Sequence, residues 1–325
     1  MANALFNIHP VEATGFYRVA LAVRPATSAA YNNLGVLFRV QKKLPEAIAA
    51  CYKAIEIDSK YAIAYYNLGN AFLDQKKLPE AIAAYHKAVE LDPKYALAHI
   101  NLGQAYKLQG RFTDALAAFK TGHELGSQRA DWPCPSAALI REAERLFQLD
   151  ARLPKVLNGE SQPADAAECL QLASLCQLPC KQLNAAVAGF SADAFAAEPK
   201  LADELGAGHR YNAACAGALA GCGQGKDAGK IGEPKRARLR RQALDWLRAD
   251  LAGWRKQLED DAVKAGPVVR QQMQHWQQDA DFVGVRGPDA LAKLPEAERQ
   301  AWQTLWTEVA QTFARAGGKS SPEQK

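Results

Sequence analysis

The chain has 325 residues, of which 48% are hydrophobic and 23% charged, with a formal net charge of +5. That apolar content excludes wholesale disorder. No apolar run approaches the roughly eighteen residues that a membrane helix needs, which excludes a membrane span. Seven irregularly spaced cysteines and the lack of a basic, apolar leader predict reduced thiols in a cytoplasmic protein.

In chain order, residues 1–27 predict a single helix. Its Phe16, Val19 and Val23 either face solvent, offering a surface for self-association, or are covered by Leu5, Phe6 and Ile8. Residues 28–127 are organised by a period. QKKLPEAIAA at residues 41–50 returns letter for letter at 75–84, displaced by 34 positions, and QGRFTDALAA at 109–118 is a looser third copy. Leu34-Gly35, Leu68-Gly69 and Leu102-Gly103 keep the same step. A fixed period of this size marks a repeat array, in which each unit buries its apolar face only against its neighbours. Such an array predicts a binding surface and not a catalyst.

Each unit reads as two helices. In the second copy, Ile63, Tyr65, Leu68, Ala71 and Phe72 recur at helical spacing. Lys76-Lys77-Leu78 turns the chain, and Pro79 opens a second helix, where its missing N–H has no partner to lose. Ile82, Tyr85, Ala88 and Val89 face inward along that helix. Asp92-Pro93 closes the unit, with Asp92 expected to cap the next helix. Gly35, Gly69 and Gly103 are in phase although a helical glycine costs roughly 1 kcal/mol against alanine. They predict close crossings, with Ala47, Ala81 and Ala115, then Ala54, Ala88 and Gly122, as small partners on the second helix.

The pattern aromatic, Leu-Gly, aromatic, Ala, aromatic, Ala, Pro over 34 residues resembles the tetratricopeptide repeat. Glu12-Ala13, Tyr17, Ala20 and Pro25 match the second helix of a unit whose first helix is missing, so residues 1–27 form a partial repeat ahead of three repeats at 28–127. The resemblance implies an all-α, right-handed superhelical solenoid with a concave groove lined by the first helix of each unit. It also implies protein or peptide partners. Cys51 in place of an aromatic, Ser59 in place of the closing proline and His99 in place of the leading tyrosine depart from the pattern.

Residues 128–163 read as a proline-containing connector with one helix, and 164–260 as diverged repeat-like helical pairs. C-terminal helices follow at 261–315, and a disordered tail at 316–325. In the diverged region, Leu244, Leu247, Leu251, Trp254 and Leu258 form a narrow apolar seam at three-four spacing. Leu291, Leu294, Trp302, Leu305, Trp306 and Val309 predict an amphipathic closing helix. YNAACAGALAG at 211–221, HWQQDADFVGVR at 275–286 and LAKLPEAERQAWQTLW at 291–306 resemble the C-terminal region of planctomycete serine/threonine kinases, whose kinase domain has no counterpart here. That resemblance implies an alternative role as a regulatory or substrate-recruiting part of a kinase assembly.

Catalytic and cofactor motifs fail individually. GCGQGK at 221–226 offers Ala220 and Asp227 where a phosphate loop needs glycine and Ser or Thr, so it reads as a flexible inter-helix loop. Cys169, Cys176 and Cys180 are seven and four residues apart and match no zinc or redox pair, so no metal is expected and they read as small buried hydrophobes. The six histidines form no recognisable catalytic spacing. We therefore expect no enzyme activity, no catalytic residue and no cofactor.

Two polar features remain. Residues 230–260 hold nine Lys/Arg and five Asp/Glu, and the basic helix 235–256 with Trp246 and Trp254 is a possible nucleic-acid surface. Its seam makes the flank of a packed helix the better reading, so nucleic acid is disfavoured. In the first array, Asn33, Asn67 and Asn101 stand 34 apart, immediately before the Leu-Gly pairs, and Asn70 and Gln104 follow one turn later with Tyr66 alongside. The row resembles the asparagine ladder in the tetratricopeptide region of O-GlcNAc transferases. The resemblance implies contacts from these amides to the backbone of an extended peptide. The alternative is that each asparagine bonds inside its own unit.

Overall fold

The computed structural model describes residues 10–130 and 132–317, with helices, turns and loops and no strand among them. The chain divides into two compact units, 1–150 and 151–325.

Unit 1 contains α1 (Pro10–Val23), α2 (Ser28–Val40), α3 (Leu44–Ile57), α4 (Ala62–Asp74), α5 (Leu78–Leu91), α6 (Ala96–Gln109) and α7 (Phe112–Gly126), and α8 (Ser136–Leu157) begins in it. The pairs α2/α3, α4/α5 and α6/α7 are hairpins, each packed on the next through α3 on α4 and α5 on α6. The hairpin turns need one residue in left-handed backbone: Lys42 and Lys76, each with φ 61, and Gly110 with φ 82. Pro45 and Pro79 sit in the first turn of the second helices. Asp92 does not cap α6, whose N-cap is Tyr95. Its carboxylate accepts from the Lys94 amide at 3.0 Å, a local turn that leaves the helix start to the next tyrosine.

The in-phase glycines have a partner that the pattern did not name. A Cβ on Gly69 would lie 2.5 Å from Tyr85 Cε1, and one on Gly103 would lie 2.7 Å from Phe119 Cδ1. Each of these two glycines is the seat of an aromatic ring from the second helix. In the first unit the ring is replaced by Cys51, whose Sγ is 2.9 Å from the corresponding point on Gly35. Ala47, Ala81 and Ala115, expected as the small partners, are each 0% exposed.

On α1, Ala13, Tyr17 and Leu21 are buried in a cluster with Leu34, Leu37 and Phe38. Its other face carries Val11, Phe16, Val19 and Val23, all exposed. Leu5, Phe6 and Ile8, expected as a possible cover, lie outside the described residues, as does the tail from residue 318.

Unit 2 contains α9 (Ala166–Gln177), α10 (Asn184–Ala197), α11 (His209–Gly221), α12 (Glu233–Asp260), α13 (Ala262–Gln278) and α14 (Glu296–Ala316). The hairpin α9/α10 packs through α10 on α11, α11 pairs with α12, and α13 and α14 pack on α12 and on each other. The seam of α12 is buried at Leu244, Leu247, Leu251 and Trp254, with Leu258 half-buried against the same cluster. Trp302, Leu305 and Val309 of α14 are each 0% exposed and share that core with Met273, Trp276 and Phe282. The closing helix is thus part of the core and not a lid on it.

The loop after α11, expected to be a flexible connector, is anchored by hydrogen bonds to the turn before α10 and to the start of α10. Lys226 donates from Nζ to the Cys180 carbonyl at 2.7 Å and from its amide to the Gln182 carbonyl at 2.8 Å. The Asp227 carboxylate accepts from the Ala185 and Ala186 amides at 3.2 and 2.9 Å, and so caps α10 from 40 residues away.

Candidate functional site

The asparagine row occupies one position of each first helix, α2, α4 and α6. These helices touch one another, α2 on α4 and α4 on α6, whereas the second helices are spread further apart, so the row lies on the inner curve of the array. There the amides reach across units and form a chain. Asn101 Nδ2 donates to Asn70 Oδ1 at 2.8 Å, and Asn70 Nδ2 to Asn67 Oδ1 at 3.4 Å. Asn67 Nδ2 donates to Asn32 Oδ1 at 2.8 Å, Asn32 Nδ2 to Asn33 Oδ1 at 3.4 Å, and Asn33 Nδ2 to the Tyr17 hydroxyl at 2.9 Å. Every link points the same way, from α6 through α4 and α2 to α1, an arrangement in which successive amides polarise one another.

The chain has two layers. Asn32 and Asn70 are buried, at 3% and 8% exposure. Asn33, Asn67 and Asn101 are half-buried, as are Tyr66 and Gln104. Tyr85, reaching from the second helix, donates its hydroxyl to Asn70 Oδ1 at 2.8 Å, and burial raises its pKa so that it stays a donor. Asn101 Nδ2 also donates to the Tyr66 hydroxyl at 3.2 Å, and the Tyr66 ring packs 4.9 Å from that of Tyr95. The buried amides and Tyr85 therefore fix the rotamers of the half-exposed ones. Ion pairs between neighbouring helices of unit 1 accompany the row, Arg39 to Asp74 at 3.2 Å and Lys107 to Glu142 at 3.3 Å.

Of the six residues predicted from sequence, five are joined in this network, and Gln104 continues the row one turn further along α6. Sequence reasoning missed Asn32, Tyr17 and Tyr85. Asn32 breaks the period, because Tyr66 and Ile100 stand at the equivalent position, and recurrence was the signal used.

Comparison with known proteins addresses the same segment. Tetratricopeptide-repeat family models match residues 28–61, 50–83 and 69–110. Residues 28–110 are tetratricopeptide repeats. Similar solved structures include MamA, at 26% identity and a TM-score of 0.37 over 40% of this chain and 77% of that one. The TPR2B domain of yeast Sti1, titled as a complex with pHsp70, is 22% identical with a TM-score of 0.35 over 36% of this chain and 96% of that one. The first TPR of Spaghetti (RPAP3), titled as bound to the HSP90 peptide SRMEEVD, is 20% identical with a TM-score of 0.34 over 37% and 93%. No curated protein matches the sequence.

Cys51, Cys169, Cys176 and Cys215 are small buried groups, whereas Cys180, expected among them, is only half-buried. Burial pushes the Cys51 thiol up to about 12 and raises that of Cys169. Cys215 is the exception in its company, since its Sγ lies 3.9 Å from Asp279 Oδ2, and together with Asp281 these offer three metal-type donors within 4.8 Å of one another. Asp279 is already engaged. It accepts from the Tyr211 hydroxyl at 2.6 Å and from the Asp281 amide at 2.9 Å, which makes it the cap of the 3-10 turn Ala280–Val285.

Among the basic residues of α12, Arg240 is spent internally. It donates to Glu298 at 2.5 Å, to Glu233 at 2.7 Å and to the Gly221 carbonyl at 2.6 Å. Trp254 is buried, and Trp246 packs edge-on against Phe195 with ring centroids 5.8 Å apart.

Proposed function

We propose that unit 1 is a scaffold that binds an extended segment of a protein or peptide along the inner face of α2, α4 and α6. The observation that carries this reading is the two-layer amide network. Half-exposed asparagines on three successive units are held in fixed rotamers by buried amides behind them, which lowers the entropy lost when they bind a ligand. Each amide presents a donor and an acceptor, as each peptide unit does, so the row matches backbone and tolerates varied side chains. Tyr66 and Gln104 add a flat apolar body and a further amide on the same face.

A random-peptide display library panned on the full chain tests this reading, followed by hydrogen exchange on the protein with and without a selected peptide. The reading expects peptides of varied sequence and new protection confined to α2, α4 and α6. Protection confined to unit 2, or selection of nothing, contradicts it.

A further inference from the structure

The second unit carries a groove of its own, separate from the amide row. Along the crease between α12 and α14 runs a series of hollows, of about 410 Å³ beside Arg238, Arg241 and Arg248, about 500 Å³ beside Arg248 and Lys256, and about 260 Å³ beside Arg255 and Arg315. The first is walled by Ala237, Ala297 and Ala301, which leave room at the base and present no hydrogen-bonding side chain.

The charges of this crease are unbalanced. Glu298 is consumed by Arg240, and Glu308 lies 3.6 Å from Arg255. Arg238 and Arg241 are exposed and have no carboxylate partner among the described residues. Arg248 is exposed and contacts the Ala301 carbonyl at 3.4 Å, a neutral acceptor. Against these guanidinium groups and Lys256 stand only Asp245 and Glu259. Guanidinium groups match carboxylates with paired, charge-assisted hydrogen bonds.

We propose that this crease binds an extended acidic peptide. Arg238 to Arg248 spans ten helical residues, about 15 Å, and Arg238 to Lys256 about 27 Å. At about 3.3 Å per residue, an extended strand of roughly eight residues covers the row. Single-stranded nucleic acid is the competing polyanion, and it binds by stacking its bases on exposed aromatic faces. The two tryptophans of α12 are turned inward, onto Phe195 and into the core, and no aromatic side chain lines the three hollows. Carboxylates spaced along a peptide therefore fit what is present, and bases do not.

The experiment is fluorescence anisotropy on the full chain with labelled octaglutamate and, in parallel, labelled octathymidylate, at about 50 mM salt, where screening is moderate. Octaglutamate should bind, and Arg238→Gln, Arg241→Gln and Arg248→Gln together should weaken it at least about tenfold. Lys43→Gln, Lys60→Gln and Lys77→Gln remove the same charge from exposed positions of unit 1 and should change affinity by less than about twofold. Asp245→Asn should tighten binding. All of these side chains are exposed, so circular dichroism should be unchanged. The proposal is overturned if octaglutamate does not bind, if both triple variants lose affinity equally, or if octathymidylate binds more tightly. Asparagine substitutions in unit 1 should leave octaglutamate binding untouched, so the two sites fail or succeed separately.

Discussion

Gly69→Ala tests the packing account at a single methyl group. The new carbon would lie 2.5 and 2.6 Å from Cε1 and Cδ1 of Tyr85, about an ångström inside ordinary carbon contact. The ring has nowhere to retreat, because Tyr85 is 0% exposed, its hydroxyl is bonded to Asn70 at 2.8 Å, and the Tyr66 ring stands 6.1 Å away. Three magnitudes compete. Alanine is the better helix former by roughly 0.8–1.0 kcal/mol. Overpacking costs about 1–3 kcal/mol. Tilting the ring to relieve it forfeits a hydrogen bond worth about 0.5–1.5 kcal/mol. The net expectation is a loss of roughly 1–3 kcal/mol, read as a lower urea midpoint of the 222 nm circular dichroism transition. Gly35→Ala is the internal control, because its nearest contacts are Cys51 Sγ at 2.9 Å, the Ala47 carbonyl at 3.2 Å and the Cys51 amide nitrogen at 3.5 Å, with no ring to displace, and it should cost less. In a Tyr85→Cys background, which copies the first unit, Gly69→Ala should lose most of its effect. A Gly69→Ala protein as stable as its parent, or a Gly35→Ala protein equally damaged, would refute the ring-seat reasoning.

Further outcomes follow from other contacts. Asn70→Ala strips the acceptor from the buried Tyr85 hydroxyl and from Asn101, and should cost about 1–3 kcal/mol by urea denaturation; a change below about 0.5 kcal/mol would break the network argument. Burial raises the Asp250 pKa from 3.8 to about 7, against the lowering effect of Arg210 at 3.3 Å. A folded value above the unfolded one means that this group favours the unfolded chain increasingly as pH rises from about 4 through 7. Asp250→Asn should therefore stabilise unit 2 by about 1–4 kcal/mol at pH 8 and hardly at all at pH 4.5, and equal effects at both pH values would contradict the assignment. Ending the chain at Pro295 removes Trp302, Leu305 and Val309 from the core, each fully buried and worth about 1.5–3 kcal/mol, so residues 151–295 should become protease-sensitive. Protease resistance equal to that of the full chain would show that α14 is dispensable.

What could be read from sequence followed the range of the contacts involved. The period of 34 specified the hairpins of unit 1, because in-phase residues at one spacing imply one repeated local geometry. Gly69 announced a close contact but not its partner, since the ring of Tyr85 arrives from 16 residues on and alanines at the nearer positions looked like sufficient partners. The asparagines recurred visibly, yet the bonds of Asn67 to Asn32 and of Asn101 to Asn70 depend on which helices stand side by side. In unit 2 the seam of α12 was plain from its three-four spacing. Its partners on α13 and α14 were not, because an amphipathic helix shows that one face is buried without saying against what. The loop after α11 looked flexible from its glycines, and its anchoring by Lys226 and Asp227 rests on partners some 40 residues away.

The central claim is that the half-exposed asparagines bind peptide backbone. The most direct measurement is the affinity of the Asn33→Ala, Asn67→Ala, Asn101→Ala triple variant for a peptide selected on the full chain, by calorimetry at a temperature where circular dichroism shows both proteins folded. At about 0.5–1.5 kcal/mol per net hydrogen bond, the triple variant should bind roughly ten to a thousand times more weakly. Unchanged affinity with intact helicity would mean that the amide chain only joins the repeats and that peptides bind elsewhere.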